Sequence, residues 1–472
     1  MTATLAPTGP RLVDPATGRP LRADRPWSLT DGGTRWPVVE GIPFLRQGRE
    51  ALRRSALEAL DAGEGRAALA LLLADQDDYA GTPPPDTPAL DRLIEAVDSG
   101  AATLRDAMAA LRYGPVADYF AHRWSTPTYL SGLALLDRHL PAGATVIEVA
   151  CGIGHYLRAL AGRGVACSGV DVVFSKLWLA RRFVAPPAVP LACGDAVAGL
   201  PVAAGSGSTV VFCHDAFYFL RDKPRVVAAF RRVAGEAGLI LIGHAHNAAF
   251  DHRGVAGEPK TPDEYAGLLP GCRMYDDADL ARSAWSGAPA SAWTPEGLAR
   301  VGPEDPGSFT SRPPTLTLPH EGGGDQTARP ASGDRATSDG LPPPSWGRAG
   351  VGGENMAPPE GSGTPRAGVE AVAMAWSATG QVDRGGANRL VLPPAGARLR
   401  LNPMLADEGG TLRPRWPSAR FEAEYAAESP YLDGEKVPSA EALRLATLGR
   451  VDAPEVARLA RLRILLELPD RW

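Results

Sequence analysis

Thr-Val-Ile-Glu-Val-Ala-Cys-Gly-Ile-Gly-His-Tyr, residues 145–156, is the stretch that decides the fold of this protein. Its apolar, β-branched start predicts a strand that ends near Glu148, and Gly152 and Gly154 then predict a tight turn before a helix. A strand, a glycine turn and a helix in this order place backbone N–H groups beside a small ligand. A second apolar run ends at Asp171, within about 20 residues of the turn, where a ribose-binding carboxylate is expected.

The spacing of the glycines distinguishes two kinds of cofactor site. A dinucleotide fingerprint has the form G-x-G-x-x-G, but Leu157 stands three residues after Gly154, which disfavours an NAD(P)-dependent oxidoreductase. The stretch has the form E-x-A-x-G-x-G and resembles motif I of the class I S-adenosylmethionine (SAM)-dependent methyltransferases of the methyltransferase-11/25 type. Ala150 stands where that family usually has glycine, and alanine is free of strain there only if its φ is negative.

Apolar runs and helix-like segments alternate from residue 145 to residue 245. This alternation favours a parallel sheet covered by helices on both faces. One helix is well marked, because Asp222 can cap it and Pro224 suits its first turn. The resemblance implies a seven-stranded, mostly parallel, Rossmann-like α/β sandwich. We expect an antiparallel hairpin, with strands at 369–378 and 389–401, to complete this sheet.

The composition of the chain changes along its length and predicts six segments. These are an N-terminal β module (1–47), a helical segment (48–113), the methyltransferase core (114–301), a disordered low-complexity insertion (302–368), the hairpin of the sheet (369–405) and a helical C-terminal tail (406–472). The first segment resembles a Trm112-like module, which often carries zinc-binding cysteines. Asp14 and Thr17 occupy the matching positions here, so we expect a degenerate module without zinc ligands.

The resemblance also implies how SAM, the expected cofactor, is bound. Glu148 would serve the amino-acid end of SAM, and Asp171 would accept hydrogen bonds from both ribose hydroxyls. Asp195 and the backbone N–H of Ala196 would contact the adenine. The expected cofactor-binding residues are Glu148, Ala150, Gly152, Gly154, Asp171, Asp195, Ala196 and His214.

Methyl transfer requires mainly alignment of the acceptor, because the sulfonium is already an activated leaving group. A base helps where the acceptor must lose a proton, and histidine titrates near neutral pH. The expected catalytic residues are His214, Asp215 and His246, with His244 as a further candidate. A metal site on His244 and His246 would need a third ligand such as Asp251 or His252. Packing and loop capping are the favoured roles of this pair, and no metal is predicted.

An aromatic segment precedes the first strand of the core and contains Tyr119, Phe120 and Trp124. In similar enzymes such a segment lies over the cofactor or the substrate. Ordinary packing of a helix against the sheet edge explains the aromatic residues equally well, and both alternatives stay open.

Composition and charge limit which binding partners and which cellular compartment are expected for this protein. The 472 residues include 49 basic and 54 acidic side chains, a net charge of −5 that disfavours nucleic acid or an anionic membrane as an obligatory partner. The apolar runs are too short to span a membrane. The N-terminus lacks the features of a signal peptide, and five cysteines without a C-x-x-C pair predict a cytoplasmic protein.

The kind of acceptor is inferred from a missing motif. Many nucleic-acid and protein-glutamine N-methyltransferases carry Asn/Asp-Pro-Pro-Tyr/Phe after the fourth strand, whereas this chain has His214-Asp215-Ala-Phe. A small-molecule methyl acceptor is therefore predicted. The alternative is a non-catalytic binding or scaffold protein that retains the SAM fold. The sequence indicates neither the identity of the acceptor nor the oligomeric state.

Overall fold

A computed structural model describes residues 10–76, 83–205, 207–250, 257–300, 368–382, 390–426, 437–448 and 453–472, together with Ser429 and Leu432. Apart from Gly368, the predicted insertion at 302–368 lies outside the described residues. Asp251 and His252, the third ligands weighed for a metal site, also lie outside them.

The chain begins with a small antiparallel sheet. Its strands, in the order β1-β2-β3-β4, are β1 (Arg22–Arg25), β2 (Ser28–Thr30), β3 (Arg35–Val39) and β4 (Ile42–Pro43). Asp14 accepts hydrogen bonds from the Trp36 indole (2.8 Å) and from the backbone of Ala16 (2.9 Å), so both of its carboxylate oxygens are used inside this module. The Leu45 N–H donates to the Cys193 carbonyl oxygen (2.7 Å), which ties the module to the edge of the main sheet.

Six helices separate this module from the main sheet. They are α1 (Glu50–Asp61), α2 (Gly65–Leu73), α3 (Thr87–Asp98), α4 (Leu104–Ala110), α5 (Pro115–His122) and α6 (Pro127–His139). Side chains that cap the backbone N–H groups define where several of these helices begin. Thr103 and Asp106 form a reciprocal capping box at α4, and Thr126 caps α6 with a proline in the first turn.

The main sheet has seven strands in the order β10-β11-β9-β8-β5-β6-β7. They are β5 (Thr145–Val149), β6 (Ala166–Asp171), β7 (Leu191–Cys193), β8 (Thr209–His214), β9 (Leu239–His246), β10 (Arg273–Asp276) and β11 (Ala371–Ser377). Strand β11 is antiparallel to both of its neighbours, and the pairs from β9 to β7 are parallel. The predicted seven-stranded, mostly parallel, Rossmann-like sheet is confirmed.

Helices cover both faces of this sheet. Those that follow its strands are α7 (His155–Ala161), α8 (Phe174–Leu179), α9 (Lys223–Ala234), α10 (Pro262–Leu268), α11 (Asp277–Ser286) and α12 (Pro295–Leu298). Alternate residues of β5 enter different apolar clusters, Val146 on one face and Ile147 on the other. Asp222 caps α9 as its sequence predicts, with Pro224 in the first turn. The carboxyl ends of β5, β6, β8 and β9 therefore meet at one edge, called here the carboxyl edge.

The prediction of a hairpin at 369–405 is wrong for its second strand. Strand β11 lies within 369–378 as expected, but its outer partner is β10, which precedes the insertion. The segment 389–401 does not join this sheet, because Pro393 and Pro394 cannot donate the hydrogen bonds of a ladder. Only its end forms a strand, β12 (Arg400–Leu401), which pairs with the C-terminal tail.

The C-terminal tail contains strands as well as the predicted helices. Its elements are β13 (Leu405–Glu408), β14 (Thr411–Pro414), α13 (Ala419–Tyr425), α14 (Ser439–Leu448), α15 (Pro454–Arg461) and β15 (Leu465–Leu466). The tail returns to the core, where the Trp472 indole donates to the Ala121 carbonyl oxygen (2.7 Å). All five cysteines are unpaired thiols.

Candidate functional site at the carboxyl edge

The predicted glycine turn follows β5 at the carboxyl edge. Gly152 and Gly154 have φ of +53° and +84°, which glycine adopts without the steric cost of a side chain. The Gly152 N–H donates to Asp171 Oδ2 (2.8 Å), so the turn is joined to the end of the neighbouring strand. Asp171 Oδ1 accepts from the Val173 N–H (2.9 Å). The motif read from the sequence thus forms one connected unit.

Ala150 adopts the conformation that alanine disfavours. Its φ is +57°, so the condition for a strain-free alanine is not met. A non-glycine residue in this region costs on the order of 1 kcal/mol or more. Asp215 (φ +56°) and His244 (φ +49°) share this backbone region at the same edge. Strained backbone of this kind is concentrated at functional sites.

The remaining expected cofactor contacts surround this turn. Glu148 is buried at the end of β5, and its Oε2 has no hydrogen-bond partner among the described residues. Burial raises the pKa of Glu148 well above its ordinary range, although the Arg123 guanidinium opposes the shift. Asp195 is partly exposed and its Oδ1 accepts from the Val197 N–H (2.8 Å). A buried carboxylate oxygen without a partner, next to a positive-φ glycine turn, fits a ligand that brings an ammonium group.

The aromatic segment lies against the glycine turn. A Cβ placed on Gly152 would come within 3.2 Å of the Phe120 ring. His155, the first residue after the turn, donates from Nε2 to the Phe120 carbonyl oxygen (2.9 Å) and packs on Trp124, with ring centroids 4.3 Å apart. Burial lowers the pKa of His155 to about 3, so this ring is neutral at pH 7. Helix α5 is thereby fixed next to the turn.

The His214 ring is enclosed by protein partners. Its ring nitrogens lie 3.2 Å from the Tyr156 hydroxyl and 3.2 Å from the Ser131 hydroxyl, so both face protein partners. A Cβ on Gly243 would lie 2.3 Å from the ring, which shows how closely the sheet packs around it. Burial lowers the pKa of His214 to about 3. The His214 ring is therefore neutral at pH 7, and both of its nitrogens lie beside protein hydroxyl groups.

Asp215 is the centre of a buried polar network. Its Oδ2 accepts from the Arg123 guanidinium (2.9 Å) and from the Tyr119 hydroxyl, and its Oδ1 accepts from the Tyr218 hydroxyl (3.1 Å). Burial opposes ionisation of Asp215, but the positive charge of Arg123 and that of neighbouring groups such as His244 together outweigh it and lower the pKa. Asp215 is therefore ionised at neutral pH. Arg123 was not identified from the sequence, since it lies 92 residues away and carries no motif.

His244 and His246 lie next to Asp215 at the end of β9. His244 Nδ1 is 2.8 Å from Asp277 Oδ2, and its Nε2 is 3.9 Å from Asp215 Oδ1. Burial works against a charged His244, but the two carboxylates outweigh it and raise the pKa to about 9. His246 stacks on Tyr218, with ring centroids 3.8 Å apart and an interplanar angle of 8°. Asp277 was missed because it follows β10, a strand that the sequence did not reveal.

The carboxyl edge thus contains two groups of residues. The glycine half consists of Glu148, Ala150, Gly152, Gly154 and Asp171, with Asp195 and Ala196 beyond β7. The histidine half consists of Asp215, His244 and His246. One potential ligand atom from each residue of the histidine half lies within 4.8 Å of the others, so this half could hold a metal ion.

A comparison with protein families identifies the core. Residues 147–242 match the family model described as a methyltransferase domain. This part of the chain is similar to methyltransferase domains. The matched range begins in β5 and ends in β9, so it contains the glycine turn, Asp171, Asp195 and Asp215.

Solved structures resemble the methyltransferase domain at low sequence identity. One is the complex between the Haloferax volcanii Trm112 methyltransferase activator and a methyltransferase (19% identity, 35% of this chain, 74% of that chain, TM-score 0.29). Another is phosphoethanolamine N-methyltransferase 2 of Haemonchus contortus with SAM (22% identity, 36% of this chain, 40% of that chain, TM-score 0.25). A third is an S-adenosylmethionine-dependent methyltransferase of Mesorhizobium loti (18% identity, 25% of this chain, 54% of that chain, TM-score 0.22). Curated proteins gave no match.

Every helix in the described part of the chain is too short or too polar to span a membrane.

Proposed function

We propose that this protein transfers a methyl group from SAM to a small-molecule acceptor. The observation that carries the proposal is the glycine turn itself, joined by the Gly152 N–H to Asp171. Beside it lies the buried Oε2 of Glu148, for which the described part of the chain offers no hydrogen-bond partner. These groups lie inside the segment that matches a methyltransferase domain. S-adenosylmethionine is the cofactor that such a domain uses.

Different residues of the glycine half would bind different parts of SAM. Glu148 would bind the ammonium of the methionine moiety, and Asp171 would accept the ribose hydroxyls with the lone pairs that its two backbone donors leave free. Asp195 and the backbone of Ala196 would contact the adenine. Bound SAM supplies a sulfonium-activated methyl group, so that the protein has mainly to align the acceptor.

The histidine half would face the acceptor. Asp215 is held ionised by Arg123, and His244 is held charged by Asp215 and Asp277. A charged His244 can donate a hydrogen bond but cannot accept a proton, so it would orient a polar acceptor. Both ring nitrogens of His214 face protein hydroxyl groups, so we assign this ring to positioning rather than to proton transfer.

The acceptor class and the cellular setting rest on sequence features. The chain lacks the Asn/Asp-Pro-Pro-Tyr/Phe motif after β8, and its net charge of −5 does not favour nucleic acid. We place the protein in the cytoplasm because its five cysteines are unpaired. We assign the N-terminal sheet to a Trm112-like module without zinc, since Asp14 uses both carboxylate oxygens on Trp36 and on backbone groups.

A non-catalytic protein with a SAM fold is the second candidate. The observation that favours it is Ala150, whose φ of +57° strains the turn that must approach the cofactor. In that case the chain would bind SAM weakly or not at all and would act through its surface.

Transfer of a labelled methyl group distinguishes the two candidates. The protein is incubated with methyl-labelled SAM and a fractionated extract of small cellular metabolites, and label is sought in the small-molecule fraction. We expect transfer by the wild type and by Asp263→Ala, an exposed matched control, and none by Asp171→Ala. Absence of transfer to any fraction, from wild-type protein shown to be folded, would support the non-catalytic candidate.

A further inference from the structure

The histidine half has the composition of a metal site. In a tetrahedral site with bonds of about 2.1 Å, neighbouring ligand atoms are about 3.4 Å apart. His244 Nε2 and Asp215 Oδ1 are 3.9 Å apart, and the ligand atoms of all three residues lie within 4.8 Å of one another. Shifts of up to about one ångström in each ligand atom would bring all three to the spacing of a tetrahedral site.

The backbone of two neighbouring strands directs these side chains toward one another. In the parallel register of β8 and β9, His214 is opposite Gly243, and the Asp215 N–H donates to the Gly243 carbonyl oxygen (3.0 Å). The register of β9 with β11 shifts at this point, and both Asp215 and His244 have positive φ. Irregular strand ends of this kind re-aim side chains and are common beside functional sites.

Other side chains hold the three residues in place. Asp277 Oδ2 lies 2.8 Å from His244 Nδ1, which leaves Nε2 directed toward Asp215. Tyr218 stacks on the His246 ring and donates its hydroxyl to Asp215 Oδ1 (3.1 Å). A carboxylate on the second ring nitrogen of a histidine is the usual outer support of a metal ligand.

The surroundings and the access of the cluster also suit a cation. The carboxylates of Asp215 and Asp277 both lie beside the His244 ring, where a metal ion would replace the proton on Nε2. Arg123 binds Oδ2 of Asp215, so that Oδ1 remains on the side of His244. The His244 side chain is 15% exposed, and solvent therefore reaches the cluster. Two imidazoles and one carboxylate suit first-row transition ions better than Mg²⁺ or Ca²⁺.

We propose that Asp215, His244 and His246 bind one divalent first-row transition-metal ion, with Asp277 as the carboxylate that orients His244. Three protein ligands leave coordination positions for water or for an oxygen atom of an acceptor. The part of this inference that concerns the acceptor rests on the proposed methyl transfer, whereas the binding of metal does not. An oxygen-bearing acceptor, such as a hydroxy or carboxylic acid compound, is the class that this site would hold.

The test uses Co²⁺ as the probe, because its visible absorption reports the ligand geometry. The full chain, free of any affinity tag and stripped with EDTA, is titrated with Co²⁺. We expect one bound ion per chain and d–d absorption bands typical of nitrogen and oxygen ligands. A crystal soaked in Co²⁺ should show anomalous density between Asp215, His244 and His246.

Variants separate this site from adventitious binding. His244→Ala and Asp215→Asn should weaken Co²⁺ binding by more than about 100-fold, and Asp277→Asn by about 10- to 100-fold, the usual effect of losing an outer carboxylate. His320→Ala, a histidine variant outside the described residues, should leave binding unchanged. The folded state of each variant is checked by thermal unfolding in EDTA.

Two results would overturn the inference. One is the absence of stoichiometric Co²⁺ binding by folded wild-type protein, and the other is anomalous density away from the three side chains. A parallel titration with S-adenosylhomocysteine in EDTA keeps the two proposals apart. If that ligand binds and Co²⁺ does not, only the metal site is rejected.

Discussion

The glycine half and the histidine half both contain buried ionisable groups, but these groups have different surroundings. In the glycine half, burial dominates: the pKa of Glu148 is raised well above its ordinary range, and that of neighbouring His155 is lowered to about 3. In the histidine half, opposite charges meet, so that Asp215 stays ionised and the pKa of His244 rises to about 9. The glycine half is suited to a ligand that supplies a positive charge, whereas the histidine half already holds paired charges.

The largest expected effect concerns the ion pair of the histidine half. Asp215→Ala leaves the Arg123 guanidinium buried without its carboxylate, and we expect a loss of about 3 to 5 kcal/mol in the free energy of unfolding, as for other broken buried pairs. The measurement is urea unfolding. In a double-mutant cycle, Arg123→Ala with Asp215→Ala should cost clearly less than the sum of the single variants. Additive costs would show that the pair is not coupled.

The second prediction concerns the carboxylate of the glycine half. Asp171→Ala removes the acceptor for the Gly152 N–H and for the ribose, so the affinity for S-adenosylhomocysteine should fall by at least about 100-fold, or about 2.7 kcal/mol. Calorimetry measures the change, and Asp263→Ala is the matched control. A retained affinity in the folded Asp171→Ala variant would remove this residue from the site.

The third prediction concerns the pH dependence of stability and contrasts His155, which follows the glycine turn, with His244 of the histidine half. His155 has a folded pKa of about 3 against 6.5 when unfolded, so its contribution to stability is complete above pH 6.5 and is lost as the pH falls. At pH 5 this loss is about 2 kcal/mol, at about 1.4 kcal/mol per pH unit. Unfolding free energies measured between pH 7 and pH 5 should therefore fall less steeply for His155→Gln than for the wild type.

His244 should show the opposite sign in the same series. Its folded pKa of about 9 lies above the unfolded value, so its contribution is complete below pH 6.5 and is lost as the pH rises through 9. Proton NMR in EDTA should show the His155 ring without titration between pH 5 and pH 8 and the His244 ring titrating on the alkaline side. Titration of both rings near pH 6.5 would contradict the contrast between the halves.

The smallest effect concerns the strained turn. Ala150→Gly relieves a φ of +57°, and the gain exceeds the entropy that glycine adds to the unfolded chain, so we expect a stabilisation of about 0.5 to 1 kcal/mol. Ala67→Gly, in the exposed part of α2, is the matched control and should destabilise by up to about 1 kcal/mol. Thermal unfolding compares them. Equal destabilisation by both changes would show that the turn is not strained.

The parts of the molecule that sequence revealed are those built from neighbouring residues. Glycine residues predict the turn after β5, and apolar runs predict the strand ends at Glu148 and Asp171. The cap and the first-turn proline predict the start of α9. Each of these signals lies within a few neighbouring residues. Strand β10 was missed because Arg273–Asp276 is only four residues long and alternates little. The apolar residues of the segment 389–401 favour a strand, but its two prolines cannot donate the hydrogen bonds of a β-ladder.

The histidine half was read incompletely because its residues come from distant segments. Proximity in the sequence suggests Asp251 or His252 as a third ligand beside His246, whereas the parallel sheet brings Asp215 from the end of the neighbouring strand. Arg123, which follows α5, and Asp277, which begins α11, also lie at the histidine half. Neither residue belongs to a sequence motif. Long-range pairing of this kind depends on the topology of the sheet, which a single sequence specifies only in outline.

The most direct test of the central claim is a calorimetric titration of the wild-type protein with S-adenosylhomocysteine in EDTA. The claim that the glycine half is a cofactor site predicts saturable binding of one ligand per chain. Absence of heat at high micromolar ligand, from a sample shown to be folded, would contradict it and would favour a scaffold protein that retains the fold without the cofactor.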